Sequence, residues 1–142
     1  MSKMRKPWIV MFALLLLAAH LNLTALVPLQ VGDAPPPWWV GGRLLWPFAE
    51  ETHTLLSKDT LNAFTPMLSV MSTLCFLMAA AALLRWRVPH TWFPWLIVAG
   101  IALSVVLQVF WFTGWAVLPL VVDMALLWAV FRQNVSVDCL RA

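Results

Sequence analysis

The stretch WFPWLIVAGIALSVVLQVFWF, residues 92–112, decides the fold class, because no residue in it is charged. At about 1.5 Å of rise per residue it reaches across the roughly 30 Å hydrocarbon core of a bilayer. Its unbroken apolar character predicts an α-helix, since a transmembrane barrel strand would alternate polar and apolar positions over about ten residues. Thr91 opens the helix, and Pro94 falls in its first turn, where a missing N–H costs nothing. Thr113 and Gly114 close it.

Three further runs lie to either side. Residues 8–27, Trp8 to Val27, follow Lys3, Arg5 and Lys6 and stop at Pro28. The run is longer than a signal-peptide core and lacks a small-x-small cleavage site, so an uncleaved signal anchor is expected. Residues 66–84 start with Thr65 as N-cap and Pro66 at the first helical position, and end at Arg85, Trp86 and Arg87. Residues 115–131 form the shortest run, containing Pro119 and Asp123 and stopped by Arg132. Pro119 cannot bond the carbonyl of Trp115, which predicts a bend near the outer end. The expected fold is an all-α membrane protein, a four-helix transmembrane bundle occupying residues 1–142 as one domain.

Composition demands the same solvent. Of the 142 residues, 63% are hydrophobic and 11% charged, against roughly 25% charged in soluble domains. A soluble globule of this size has too little interior for so much apolar surface. The net charge of +3 does not point to nucleic acid, because the basic residues flank apolar runs instead of forming a stripe. Cys75 and Cys139 have no metal-ligand spacing and are expected to be free thiols. Tryptophan occurs ten times and tyrosine never, so the aromatic belt at the water boundary falls to tryptophan.

Lysine and arginine set the orientation. With the N-terminus in the cytoplasm, Lys3, Arg5, Lys6, Arg85, Arg87, Arg132 and Arg141 lie inside, and Arg43 and Lys58 lie outside. Both termini are therefore expected in the cytoplasm of a cell with an inner membrane. The long extracytoplasmic segment 29–64 starts with Pro35, Pro36 and Pro37, then Trp38 and Trp39, which favour the headgroup layer. From Leu44 to Phe64 it mixes Trp46 and other apolar residues with Glu50, Glu51 and His53, a pattern expected of short interfacial helices forming a lid. Glu50, Glu51 and His53 read as a solvated face, and no metal site is assigned.

An ionisable side chain in hydrocarbon costs about 2.5 to 3.5 kcal/mol at a helix centre, which makes Asp123 the first candidate for function. Measured from the cytoplasmic ends, Asp123 stands at about 14 Å, His20, Thr73 and Ser104 at about 18 Å, Asn22 at about 21 Å and Gln108 at about 24 Å. Polar groups facing lipid are penalised, so these residues are expected to meet in a polar core. Asp123 with His20 is the favoured pair, because tilt can remove their difference in depth. Two readings stay open: a proton-handling or ligand-binding site, since histidine titrates near neutral pH, or glue between helices at about 0.6 kcal/mol per contact. His20 and His90 differ by about 18 Å in depth, too far for two axial ligands of one haem. No cofactor is assigned.

From Arg85 to Asn134 the basic turn, the tryptophans opening the third run and Asp123-Met-Ala-Leu-Leu-Trp128 loosely resemble small four-helix bacterial membrane proteins of the DoxX-like type. The resemblance implies a bacterial inner-membrane protein and assigns no functional residue. With no serine–histidine–acid spacing, phosphate-cradling glycine loop or zinc signature, the expected role is a non-catalytic accessory or interaction subunit, with a membrane-protein partner or further copies of itself. The alternative from the polar core is a small carrier or binding protein for a lipophilic or protonatable ligand. The resemblance alone adds a quinone-linked redox protein.

Overall fold

The structure, a computed structural model, describes residues 7–26, 53–54, 56–112, 117–132 and 137–141. Its elements are α1 (Pro7–Leu23) with a 3-10 turn at Thr24–Leu26, β1 (His53–Thr54), α2 (Lys58–Leu83), a 3-10 turn at His90–Trp92, α3 (Phe93–Phe110), β2 (Trp111–Phe112), α4 (Val117–Arg132) and α5 (Val137–Arg141). Three stretches are long and apolar enough to cross a membrane: Pro7–Leu26, Asp59–Leu83 and His90–Phe110. With 16 residues, α4 reaches about 24 Å, short of a full hydrocarbon thickness.

α1 packs on α2 and α4, and α3 packs on α2 and α4, so the four helices close into a ring. Neighbours run antiparallel. Ser69 of α2 meets Asn22 of α1 while the later Thr73 meets the earlier Ala19; Thr65 meets Trp111, just past the end of α3, while the later Ser72 meets the earlier Gly100. Leu15, Phe76, Leu83, Phe93, Ile97 and Leu126 belong to the larger apolar core, toward the end where α2 turns into α3. A smaller cluster of Leu61, Leu107 and Trp111 closes the other end. The buried polar residues lie between the two.

The start of α2 corrects the sequence reading. The helix begins at Lys58, so Thr65 and Pro66 are interior residues and not a cap and first position. Ser57 supplies the extended N-cap backbone (φ −61°, ψ 148°), its hydroxyl shares a 2.8 Å hydrogen bond with that of Thr60, and Asp59 meets the positive end of the helix dipole. Residues 58–64, expected as the end of an interfacial lid, are the first turns of α2. Residues 27–52, which include Trp38, Trp39, Trp46, Glu50 and Glu51 of the expected extracytoplasmic segment, lie outside the described residues.

His53 does lie within them. It pairs with Phe112, and Thr54 with Trp111, in an antiparallel two-residue ladder. The third run thus leaves the helix two residues early, at Trp111 (φ −113°, ψ 75°), whose N–H still bonds the Leu107 carbonyl.

Pro119 is buried near the start of α4. It is the third residue of α4, and Trp115, whose carbonyl it was expected to leave unbonded, lies outside the described residues.

α2 ends in a left-handed cap. The Arg85 N–H bonds the Ala82 carbonyl and the Trp86 N–H bonds that of Ala81, the two bonds of a Schellman motif, with Arg85 at φ 56° where glycine is preferred. The Val88 N–H then returns to the Trp86 carbonyl across Arg87, also at φ 56°. Arg85 forms an ion pair with Asp138 of α5, and Val137 and Leu140 seat α5 on the core beside α1.

Candidate functional site

The polar residues of the bundle divide into two groups by what their atoms do. The first group pins helices together. Ser69 Oγ donates to the Asn22 carbonyl at 2.6 Å, Ser72 Oγ to the Gly100 carbonyl at 3.0 Å and Thr73 Oγ1 to the Ala19 carbonyl at 3.3 Å. Trp111 Nε1 donates to Thr65 Oγ1 at 2.7 Å. Each hydroxyl is satisfied by a neighbouring helix, which is the glue expected of serine and threonine in lipid. Thr73, a candidate on sequence grounds, belongs here. The Trp111–Thr65 bond escaped the sequence reading, which had assigned Thr65 to a cap.

The second group is held less completely. Asp123 is 3% exposed, and Ser104 Oγ of α3 donates to its Oδ2 at 2.6 Å. Sequence reasoning favoured His20 as the partner; the hydrogen bond seen on the carboxylate is that of Ser104. His20 is half-buried on α1, next to Ala19. Asn22, 1% exposed, donates Nδ2 to the Ala18 carbonyl of its own helix at 2.9 Å. Among the described residues its Oδ1 has no partner, and neither does Nε2 or Oε1 of Gln108, a residue 3% exposed. Buried amides are nearly always hydrogen-bonded, so a wholly unmatched one calls for an explanation.

The hydrogen-bond register places Asn22, Ser104 and Asp123 at similar depth, with Gln108 one turn beyond. Ser72 meets Gly100 and Ser69 meets Asn22. Three residues, or about 4.5 Å, separate Ser69 from Ser72 along α2, which brings Asn22 to the depth of residue 103 of α3, one residue from Ser104, the donor to Asp123. Gln108 follows Ser104 by four residues on the same helix face, about 6 Å nearer the outer end. One turn outward from Asp123 on α4 stands Pro119, also buried.

The result is a buried layer holding one carboxylate, one hydroxyl and two primary amides, drawn from α1, α3 and α4. Three amide atoms in it have no partner among the described residues. Such a layer can receive hydrogen bonds or positive charge from a guest. Among the described residues, no group of three or more histidine, cysteine or acidic side chains is placed to hold a metal ion. Comparisons with protein-family models, curated proteins and solved structures find no match for this chain. What the layer can do follows from its own atoms.

Proposed function

We propose that this is a multi-pass inner-membrane protein with both termini in the cytoplasm, α4 making the fourth crossing, and that its polar layer binds a small lipophilic or protonatable ligand. The observation that carries the reading is the Gln108 amide, buried and without a partner among the described residues, one turn above the Asp123–Ser104 pair. Leaving a buried polar group unmatched costs about 1–3 kcal/mol, and a bundle that needed only glue would gain from an apolar residue there. The serine and threonine pins already supply the glue. Mild detergent extraction followed by mass spectrometry of bound small molecules tests the reading. A species retained by the wild type and lost from Asp123→Asn and Gln108→Met supports it, and a wild type that retains nothing and binds no added ligand sinks it.

A second reading, the accessory or interaction subunit, is favoured by α2. Met67, Met71, Leu74 and Met78 form an exposed stripe along it, and methionine adapts to varied apolar partners. Copurification of a stoichiometric membrane chain after the same extraction would favour this role; a clean monomer or homodimer would count against it.

A further inference from the structure

The turn between α2 and α3 holds an arginine that the fold itself does not account for. The Val88 N–H bonds the Trp86 carbonyl at 2.7 Å, closing a γ-turn with Arg87 at its centre and φ at 56°, the rare hand that strains any residue with a Cβ. Arg85 has the same φ, but its guanidinium is engaged by Asp138. Arg87 is exposed, and among the described residues its side chain has no hydrogen bond or ion pair. The other described acids are out of reach: Asp59 lies in the first turn of α2, at the opposite end of that helix, and Asp123 is buried within α4. A strained position that holds a long cation without a partner inside the protein points to a partner outside it.

The neighbours of Arg87 narrow that partner. Trp86, Trp92 and Trp95 are 67%, 53% and 74% exposed, and they stand where α2 has ended and α3 begins. Both helices belong to stretches long and apolar enough to cross a membrane, and exposed indoles at the ends of such spans settle in the headgroup layer. The groups at that level that match a guanidinium are lipid phosphates, which accept its planar fork bidentately. A zwitterionic headgroup carries its own cation, which competes for the phosphate; a net-anionic headgroup leaves it free. We propose that the α2–α3 turn is a docking site for an anionic phospholipid, with the Arg87 guanidinium on the headgroup phosphate. The site is separate from the polar layer and stands or falls independently of it.

The test is thermal unfolding of the purified full-length protein in nonionic detergent at constant ionic strength, titrated with dioleoylphosphatidylglycerol, dioleoylphosphatidylcholine or inorganic phosphate. A saturable rise with phosphatidylglycerol that the other two do not match is the expected result. Arg87→Gln weakens the apparent phosphatidylglycerol affinity about tenfold or more, the effect of losing charge-assisted hydrogen bonds. Arg132→Gln removes an exposed arginine at the end of α4 and weakens it by about fivefold at most, the general attraction of one basic residue to an anionic surface. In Arg87→Gly the lipid-dependent rise is lost while the midpoint without lipid increases, because glycine relieves the backbone; this separates loss of the site from loss of the fold. An equal rise with phosphatidylcholine or inorganic phosphate, equal losses in Arg87→Gln and Arg132→Gln, or no response to any probe overturns the site.

Discussion

Ser104 Oγ sits 2.6 Å from Asp123 Oδ2 in a nearly water-free layer, so the two side chains depend on each other more than their residue types suggest. Removing the hydroxyl leaves a buried carboxyl group without the donor seen on it, and Ser104→Ala should destabilise the protein by about 1–3 kcal/mol. Adding Asp123→Leu should recover most of that loss, because removing both members of a buried pair is nearly neutral. Unfolding in mixed micelles measures the cycle, and additive losses would show that the two residues do not act as a pair. Gln108→Met follows the opposite sign: it removes two unmatched buried atoms at similar volume and should stabilise the ligand-free protein by about 1–3 kcal/mol. The residue types of this layer were legible in the sequence, since charge and amides stand out against hydrocarbon. Their partners were not, because depth along a helix can be counted whereas rotation about its axis is fixed only by packing. That Gln108 lacks a partner among the described residues is likewise a matter of how the helices face one another, which neither segment reveals alone.

Within the elements, the same tension between local preference and packing appears at the end of α2. Arg85 and Arg87 both hold φ at 56°, which disfavours any residue with a Cβ by roughly 1–2 kcal/mol. Arg87→Gly should therefore raise stability by up to about 1 kcal/mol. Arg85→Gly should gain less, because it also removes the exposed ion pair to Asp138, a type worth about 0–1 kcal/mol. Farther along the α2–α3 contact, a Cβ on Gly100 would stand 3.0 Å from Cε1 of the fully buried Phe76. Gly100→Ala should cost about 1–3 kcal/mol through overpacking, and an unchanged unfolding midpoint would contradict so close an approach. The third run was legible nearly to its ends, since its proline lies in the first turn and its polar residues are few. The start of α2 was not. A threonine followed by proline reads as a helix start in water, yet in a bundle the carbonyl freed by an interior proline finds other partners, and here the signal at Ser57 and Asp59 lies in a stretch too polar to be counted as span.

For the whole molecule, the placement of α5 constrains topology independently of the charge count. α5 rests on α1 and is joined by Asp138 to Arg85, at the end where α2 finishes. Because α1 and α2 are antiparallel, that end is also where α1 begins. The start of α1, the α2–α3 turn and the C-terminal helix therefore share one end of the bundle, and the exposed Trp86 and Trp92 lie there with the arginines, as a water boundary favours. If α1, α2 and α3 each cross, the chain after α3 is on the far side and α4 must return it, although at about 24 Å it is shorter than the hydrocarbon core. Short spans are accommodated by local thinning of the bilayer at a fraction of a kcal/mol per Å, and burial of Asp123 inside the ring with a hydrogen bond from Ser104 lowers the other obstacle to insertion. Reporters fused after Arg87 and after Ala142 should accordingly give the cytoplasmic signal, and one fused after Phe112 the opposite signal. Opposite signals after Arg87 and Ala142 would mean that α4 does not cross, and the layer that joins Asp123 to Ser104 could not then form within the membrane.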